Sequence, residues 1–385
     1  MKDQRDTADP RWHACSRLAS ISLAVTLSLL GCGGYERPRL PGGADDWTFG
    51  DEGIVPDDDG AVVFAAVGDM GKANVPQAVV ANGVRRACAD RCDFVVLLGD
   101  NVYESGVADA DVERALACMI GKYGIGRVYS VLGNHDYDPV EPTMARARRE
   151  LGWIRRDERA SDGVGAHGDH HFYRFQAGPV RLVALDTNLL VRGVFDEDAY
   201  GRLARWLGPL HRDDDEWLIV LGHHPYVSNG SHHSAGVFLD AGLSLWPGRF
   251  FHDVMARHVM GRADLYLAGH DHNLQFIPNV DDGRTAQVVS GSGSKCNPPP
   301  ATRDFDEALE HYGYGFAVVE ASAGELTVGF HDAWGAPLWQ MRRTRVADWR
   351  ATGRVPRASE RTSRCDEDRA RMVEASVTPC RPNLP

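Results

Sequence analysis

The sequence predicts an α/β fold in which buried strands alternate with helices and polar loops follow the strands. Apolar runs at Ala61–Val67, Phe94–Leu98 and Val128–Leu132 have the length and composition of buried strands. Helical patterns at Val75–Ala87 and Asp109–Ile120 separate these runs. Strand–helix–strand repeats of roughly 30 residues are typical of parallel βαβ units. The first half of the chain therefore predicts a parallel sheet.

The second half predicts further strands that run in both directions. The strand-like segments His171–Phe175 and Val180–Leu185 flank Gly178-Pro179, which indicates a hairpin. A helix is expected at Ala199–Leu207. Further strands are expected at Leu218–Leu221, Asp264–Ala268, Gln287–Ser290, Gly315–Glu320, Leu326–His331 and Pro337–Arg342. The fold class is therefore α/β with a second sheet of mixed direction.

The charge balance restricts the partners of the protein. Lys and Arg number 42 and Asp and Glu number 54, so the net charge is 42 − 54 = −12. An acidic surface argues against nucleic acid as the main partner. Any anion-binding site must then be locally positive, and bound metal ions supply such charge.

The N-terminal segment indicates export. Two arginines precede an apolar run at Leu18–Leu30, which is too short to span a bilayer and has signal-peptide length. The run ends in a Leu-Leu-Gly-Cys32 sequence that resembles the lipobox of bacterial lipoproteins, whose Cys is acylated. We expect residues 1–31 to be a signal peptide and 32–58, rich in Gly, Pro and Asp, to be a flexible tether. Cys32 would then anchor the protein by a lipid in the bacterial cell envelope (outer membrane or periplasm); the alternative is an ordinary signal peptide.

The remaining cysteines predict disulfides. They are Cys88, Cys92, Cys118, Cys296, Cys365 and Cys380. An even number in an exported protein favours disulfide pairing, and none has the spacing of a structural zinc site. We expect Cys365 to pair with Cys380 within the Arg-rich segment 344–385, which shows little apolar periodicity and is predicted to be a solvated tail. The other pairings are open.

Five predicted strands are each followed by glycine and then by metal-ligand types of residue. The loops are Gly68-Asp69-Met70-Gly71, Gly99-Asp100-Asn101-Val102-Tyr103, Gly133-Asn134-His135-Asp136, Gly222-His223-His224-Pro225 and Gly269-His270-Asp271-His272-Asn273. One such loop is usually only a turn, but five in succession are different. Ligands of α/β sheets bind at the carboxyl ends of strands, and glycine permits close approach of the backbone there. The loops therefore predict one shared site.

The residue types of this site suit one kind of chemistry. Carboxylates, imidazoles and an amide oxygen together bind first-row ions such as Zn, Fe and Mn. A bridging carboxylate holds two ions about 3.5–4 Å apart, the spacing used for in-line displacement at phosphorus. The sequence thus predicts a two-metal phosphohydrolase.

The loops resemble those of the calcineurin-like metallophosphoesterases. The general superfamily has Asp-x-His in its first loop, whereas Gly71 stands at the His position here, and Tyr103 lies three residues after Asp100. This combination resembles the purple acid phosphatases, above all their small tartrate-resistant branch. The stretches that carry the likeness are Leu98–Tyr103, Leu185–Thr187, Tyr266–Gln275 and Ser290–Gly293. The resemblance implies a four-layer α/β/β/α sandwich of two mixed sheets, with a catalytic domain at 59–343.

The resemblance also implies the metal ligands. The first ion, Fe(III), would be held by Asp69, Tyr103 and His272. The second ion, which is Fe(II), Zn or Mn, would be held by Asn134, His223 and His270. Asp100 would bridge the two ions. A free tyrosine has a pKa of about 10, so a strong Lewis acid is needed to keep it as phenolate at acidic pH.

Three further residues are implied in catalysis. His135 would contact the phosphate or the leaving group, and Asp136 would orient the His135 ring. His232, nine residues after His223, matches a second family histidine, and the adjacent His233 is an alternative. We leave His224 as a possible substrate contact.

The predicted function is hydrolysis of small phosphate monoesters by a metal-bound hydroxide, of the acid phosphatase type and with a low pH optimum. One alternative is a phosphodiesterase or nucleotide-directed hydrolase on the same scaffold. The other is a non-catalytic envelope lipoprotein with a relict fold. All seven ligand positions are filled, which argues against the relict.

Overall fold

The computed structural model describes ten ranges of the chain. They are 47–55, 60–137, 144–157, 165–192, 197–208, 210, 215–234, 247–280, 284–356 and 361–380. The predicted signal peptide, Cys32 and the first part of the predicted tether lie outside the described residues. Within the described ranges, no helix combines the length and apolar character that a membrane crossing requires.

Sixteen strands and seven helices form the described part of the chain. The strands are β1 (Phe49–Val55), β2 (Ala61–Val67), β3 (Phe94–Leu98), β4 (Arg127–Val131), β5 (Gly165–His167), β6 (Phe172–Ala177), β7 (Val180–Leu185), β8 (Trp217–Leu221), β9 (Leu265–Ala268), β10 (Leu274–Val280), β11 (Thr285–Ser290), β12 (Leu309–His311), β13 (Gly315–Ser322), β14 (Glu325–Asp332), β15 (Pro337–Thr344) and β16 (Ala347–Ala351). The helices are α1 (Val75–Cys88), α2 (Ala110–Gly121), α3 (Ala145–Asp157), α4 (Thr187–Val191), α5 (Glu197–Leu207), α6 (Pro247–His258) and α7 (Cys365–Val373).

The strands form two mixed eight-stranded sheets. The first sheet has the order β16-β15-β14-β13-β2-β3-β4-β5, and the second has the order β1-β6-β7-β8-β9-β11-β10-β12. In the first sheet β2, β3 and β4 are parallel, as the βαβ pattern predicted. In the second sheet β7, β8, β9 and β11 are parallel, whereas β10 is antiparallel to β11. Parallel neighbours direct their carboxyl ends to the same edge of each sheet.

Four layers result because each sheet buries both faces. The inner faces meet in an apolar core that includes Phe64 and Phe94 of the first sheet and Phe175 and Leu182 of the second. The outer face of the first sheet packs under α1, α2 and α7, and that of the second under α4, α5 and α6. The predicted α/β/β/α sandwich is therefore confirmed.

The predicted tether is wrong for residues 47–55. Trp47 is buried and packs on Phe172, with ring centroids 5.1 Å apart. Phe49–Val55 pairs in parallel with β6 as an edge strand of the second sheet. The composition of this segment, Phe-Gly-Asp-Glu-Gly-Ile-Val, does not indicate a strand in the sequence, because an edge strand needs few apolar residues.

The predicted solvated tail is also wrong. Ala347–Ala351 pairs with β15, and Cys365–Val373 forms a helix in contact with α1. The expected Cys365–Cys380 bond does not form, because Cys365 is bonded to Cys296 and Cys380 to Cys118. The third pair is Cys88–Cys92, so all six of these cysteines form disulfides, as their even number predicted. Two disulfide bonds hold this segment against the rest of the protein, so it needs no long apolar face. This explains why its sequence shows little apolar periodicity.

Breaking the tail disulfide should cost more stability than breaking the short one. Cys118–Cys380 joins residues 262 apart in sequence, whereas Cys88–Cys92 joins residues four apart. Loop-closure entropy predicts a loss of about 5–6 kcal/mol for the double serine variant of the first pair and about 2 kcal/mol for that of the second. Urea unfolding of both variants measures the difference, and equal losses would contradict this account of the tail.

Candidate metal centre

The five polar loops lie at neighbouring strand ends of the two sheets. Three of them follow β2, β3 and β4 in the first sheet, and two follow β8 and β9 in the second. Gly68 N–H donates to the carbonyl oxygen of Ser290 across the sheets at 2.7 Å. A Cβ atom on Gly68 would lie 2.9 Å from Cα of Gly269. The absence of side chains there lets the loops of both sheets reach one site.

Gly71 is required by the packing of the first two loops. A Cβ atom there would lie 2.5 Å from the backbone of Asn101 and Val102. Tyr103 N–H donates to the carbonyl oxygen of Gly71 at 3.1 Å. The glycine at the position of the superfamily histidine therefore accommodates the loop that carries Tyr103.

Three of the predicted ligands have a left-handed backbone conformation. The φ angles of Asp69, Asp100 and His270 are 57°, 53° and 69°. Such angles are uncommon outside glycine and persist where surrounding contacts enforce them. Here the Asp69 carboxylate accepts the N–H of His270 at 2.7 Å, and the Asp100 carboxylate accepts that of His135 at 2.8 Å. Each carboxylate thereby joins its loop to another.

The tyrosine hydroxyl lies between two buried carboxylates. Tyr103 O–H is 2.7 Å from Asp100 Oδ2 and 2.8 Å from Asp69 Oδ1. Burial and the two carboxylate charges raise the pKa of Tyr103 well above its usual range. The protein without a metal therefore keeps the phenol protonated, and only a strong local cation would make it a phenolate.

Several acceptor atoms converge on one histidine nitrogen. The Nδ1–H of His223 donates to the Leu98 carbonyl oxygen at 2.8 Å, which leaves a lone pair on Nε2. This Nε2 lies 3.0 Å from Asn134 Oδ1, 3.3 Å from Asp100 Oδ1 and 3.2 Å from His270 Nδ1. A set of facing lone pairs is what a cation requires from its ligands.

His272 completes the set on the other side of Tyr103. Its Nε2 is 3.3 Å from Asp69 Oδ1 and 3.4 Å from the Tyr103 oxygen. All seven predicted metal-ligand residues thus lie together. Among the described residues, Asp69, Asp100 and His223 also present ligand atoms that lie within 4.8 Å of one another, as do His223, His224 and His270.

The electrostatics of this cluster fit a bound cation. Burial and the nearby Asp100 charge raise the pKa of Asp69 to about 7. Burial and the neighbouring histidines His224 and His223 hold the pKa of His270 well below its usual range. Buried carboxylates and neutral imidazoles side by side are unfavourable on their own, and a metal ion would stabilise both.

Asp136 does not orient His135, so that prediction is wrong. The Asp136 carboxylate accepts the N–H groups of Val102 at 2.9 Å and Gly133 at 2.7 Å. The His135 ring instead donates its Nδ1–H to the carbonyl oxygen of Glu104 at 2.6 Å. Asp136 therefore holds the second and third loops together, and His135 is oriented from the second loop.

His232 lies beside two predicted ligands. Its ring centroid is 4.8 Å from that of His270 and 5.3 Å from that of His272. The backbone N–H of His232 donates to the buried Asp271 carboxylate at 2.7 Å. His233 is exposed, so the structure favours His232 over its neighbour for a place at the site.

His224 does not suit the role of substrate contact. It is only 3% exposed, and burial holds its pKa well below the usual range. Its Nδ1 lies 2.9 Å from Thr187 Oγ1, which also accepts the N–H of His223 at 3.1 Å. His224 and Thr187 therefore support the loop that carries His223.

Glu150 belongs to the site and was missed in the sequence. It lies on α3 with no exposed surface, and Asn101 Nδ2–H donates to its Oε1 at 3.0 Å. The same amide is 3.4 Å from Asp136 Oδ2. Because Glu150 stands in a run of arginines that reads as a solvated helix face, no local pattern marked it as buried.

A family model described as calcineurin-like phosphoesterase matches residues 62–274. The chain therefore belongs to the calcineurin-like phosphoesterase family, and it is an enzyme for metal-dependent hydrolysis of phosphoesters. Two conclusions from the sequence, the resemblance to this family and the assignment as a phosphatase, are thereby confirmed.

Similar proteins are acid phosphatases. Purple acid phosphatase 7 of Arabidopsis thaliana is 30% identical over 262 residues, which cover 62% of this chain and 72% of that protein. Tartrate-resistant acid phosphatase type 5 of Homo sapiens is 27% identical over 321 residues, which cover 74% and 92%. The structure of a purple acid phosphatase from yellow lupin seeds superposes with a TM-score of 0.53 at 17% identity, covering 75% of this chain and 55% of that one. The last comparison supports the fold, and the first two agree with the resemblance seen in the loops.

The buried Glu150 predicts a pH-dependent stability. Burial and the negative charge of Asp100 raise its pKa, against the Asn101 hydrogen bond, to about 8. A raised pKa in the folded state means that the contribution to stability is complete below the unfolded value of about 4.3 and is lost as pH rises through 8. Between these two pH values the unfolding free energy of the wild-type protein should fall by a few kcal/mol, as an order of magnitude, because the buried Glu150 keeps a proton that it loses in the unfolded chain. Glu150→Gln has no proton to lose at this position, so its unfolding free energy should fall less over the same pH range.

Urea unfolding of the chelator-treated protein at several pH values measures this effect. Glu374→Gln, an exposed position at the end of α7, is the control and should follow the wild type. Parallel pH profiles for Glu150→Gln and the wild type would refute the buried-proton account.

Proposed function

We propose that the protein is a dinuclear acid phosphatase that hydrolyses phosphate monoesters. The observation that carries this proposal is the convergence of seven ligand-type side chains, Tyr103 among them, with Gly71 making room for the loop of the tyrosine. The relatives named purple and tartrate-resistant acid phosphatases support the same function. The monoester specificity and the two-metal centre are part of the proposal.

The donor set supports two unlike ions. Asp69, Tyr103 and His272 offer two hard oxygens and one imidazole, which suits Fe(III). Asn134, His223 and His270 offer an amide oxygen and two imidazoles, which suits Fe(II), Zn or Mn. Asp100 is close to both sets, since its Oδ2 contacts Tyr103 and its Oδ1 lies near His223, so it is the proposed bridge.

The chain supplies a proton donor next to these ligands. When bound, the two ions would lower the pKa of a water molecule and neutralise phosphoryl oxygens. The His135 ring lies 4.6 Å from that of Tyr103, and its Nδ1–H is used on the Glu104 carbonyl oxygen. In the protonated ring, Nε2 carries the proton that the departing alcohol needs.

His232 is the proposed second contact to the phosphoryl group. The hydrogen bond from its backbone N–H to Asp271 holds the loop in place and leaves the imidazole ring of His232 as the proposed donor. The Asp271 carboxylate also accepts a hydrogen bond from Ser228. A positioned donor of this kind stabilises charge that develops on phosphoryl oxygens in the transition state.

Two other readings make different predictions. A phosphodiesterase on this scaffold would turn over bis-nitrophenyl phosphate better than the mononitrophenyl ester. A non-catalytic relict would bind no metal, but the complete donor set and its unfavourable buried charges argue against it.

We also propose that the protein is exported and lipid-anchored through Cys32 in the bacterial cell envelope. The support is the signal-like run followed by Leu29-Leu30-Gly31-Cys32, together with three disulfides, which form in oxidising compartments.

Tyr103→Phe should abolish a visible charge-transfer band without emptying the site. The phenolate is the proposed source of the band, whereas six other ligand residues remain. Visible spectra and metal analysis of the purified protein measure both properties. Tyr200→Phe, on α5 in an outer helix layer, is the matched control and should keep the band. An iron-loaded wild-type protein without a band would contradict the assignment of Tyr103.

His135→Ala should lower kcat for p-nitrophenyl phosphate by about 10²–10⁴-fold, the usual size of general acid catalysis. The wild-type protein should be most active at acidic pH and should prefer the monoester to bis-nitrophenyl phosphate. His233→Ala, at an exposed position of the neighbouring loop, is the control. Equal activity of wild type and His135→Ala would remove His135 from the mechanism.

Metabolic labelling with a palmitate analogue should mark the wild-type protein and not Cys32→Ser. Acylation requires the thiol of this cysteine, so an unlabelled wild-type protein would refute the lipid anchor. Fractionation of membranes from the same cells gives a second measure of attachment.

A further inference from the structure

A lysine lies at the edge of the proposed metal centre. Lys295 Nζ is 4.0 Å from the ring centroid of Tyr103, whose hydroxyl contacts Asp69 and Asp100. Lys295 lies two residues after Ser290–Gly293, one of the stretches that resemble the purple acid phosphatases.

The backbone on both sides of this lysine is held in place. Ser294 Oγ–H donates to the Asp69 carbonyl oxygen at 2.6 Å, and Asn297 N–H donates to that of His272 at 3.0 Å. The intervening Cys296 is bonded to Cys365 of α7. The backbone of Lys295 is therefore fixed beside the site, which reduces the conformational entropy lost when the side chain binds a ligand.

Among the described residues, Lys295 forms no ion pair of its own with a carboxylate. The other lysine at this edge, Lys72, forms an ion pair with Glu104 at 3.0 Å. Lys295 itself is half-buried, and the part of the chain that the structure describes places no carboxylate within ion-pair distance of it, although its charge helps to lower the pKa of Glu104, which is already paired with Lys72. In a chain of net charge −12, an unpaired, half-buried cation beside an anion-hydrolysing centre points to an anionic partner.

The position of the ammonium group indicates which part of a substrate it would meet. It lies over the ring of Tyr103, whereas the two carboxylates contact the hydroxyl at the end of that ring. The proposed metal positions and His135 serve the transferred phosphoryl group. Lys295 thus lies over the ring of Tyr103 and not at its hydroxyl end, where the proposed metal ligands converge.

We propose that Lys295 forms a subsite for a second negative group of the ester, outside the transferred phosphoryl group. The preferred substrates are then phosphomonoesters that carry a carboxylate or another anionic group near the phosphate. This inference rests on the proposed phosphatase function and specifies its substrate class.

The test compares two small esters that differ in one charge. 3-Phosphoglycerate has a carboxylate where glycerol 3-phosphate has a hydroxymethyl group. The metal-loaded wild-type enzyme should favour 3-phosphoglycerate in kcat/KM by about fivefold, the size of a favourable exposed ion pair, mainly through KM. The ratio should approach one in Lys295→Gln and persist in Lys295→Arg. It should also shrink at high salt, since an ion pair at a half-exposed site is screened.

Lys122→Gln is the matched control, because it removes the same charge at a half-buried position after α2, outside the metal-ligand loops, and should keep the wild-type ratio. An equal loss for both esters in Lys295→Gln would mean that Lys295 binds the transferred phosphoryl group, which overturns the subsite. An unchanged ratio with a shifted visible band would mean that Lys295 acts only on Tyr103, which also overturns it. If the metal-loaded wild type hydrolyses neither ester nor p-nitrophenyl phosphate, the proposed phosphatase function itself fails, and the subsite with it.

Discussion

The carboxyl ends of two sheets approach each other so closely that only glycine fits between their backbones. Gly68 and Gly269 meet at this point, and a Cβ atom on Gly291 would lie 2.3 Å from the Asp271 carbonyl oxygen. This contact brings the loops of separate βαβ units to one place. Every other feature of the centre, including the buried carboxylates and the facing imidazoles, depends on that approach.

Close approach has an electrostatic consequence. Asp69 and Asp100 are buried and share the hydroxyl of Tyr103, and three predicted ligand histidines, His223, His270 and His272, lie against them. Such a cluster is unfavourable for an empty protein, but it gives strong and selective binding of cations. Stability is therefore supplied from elsewhere: the large apolar core between the sheets and three disulfides, two of which fix the C-terminal segment.

The residues that support the centre differ in kind from its ligands. Asp136 joins two loops through their backbone N–H groups, and Asn101 links Asp136 to Glu150 on α3. Thr187 supports the loop of His223. The backbone at Lys295 is fixed by the hydrogen bond of Ser294 and by the disulfide between Cys296 and Cys365. This disulfide connects the C-terminal helix α7 to the edge of the centre. The chain region beyond the family match, after residue 274, thus contributes to the site.

By itself, the sequence determined the strands β2, β3 and β7, the parallel arrangement of the first units and the residues that gather at the strand ends. These features are local: an apolar run, a glycine and a polar side chain stand next to each other in the chain. Only the tertiary structure decided the partner of Asp136, the burial of Glu150, the disulfide pairing and the place of Lys295. Each of these depends on residues far apart in sequence, such as Cys118 and Cys380 at a separation of 262, and no short-range pattern carries that information.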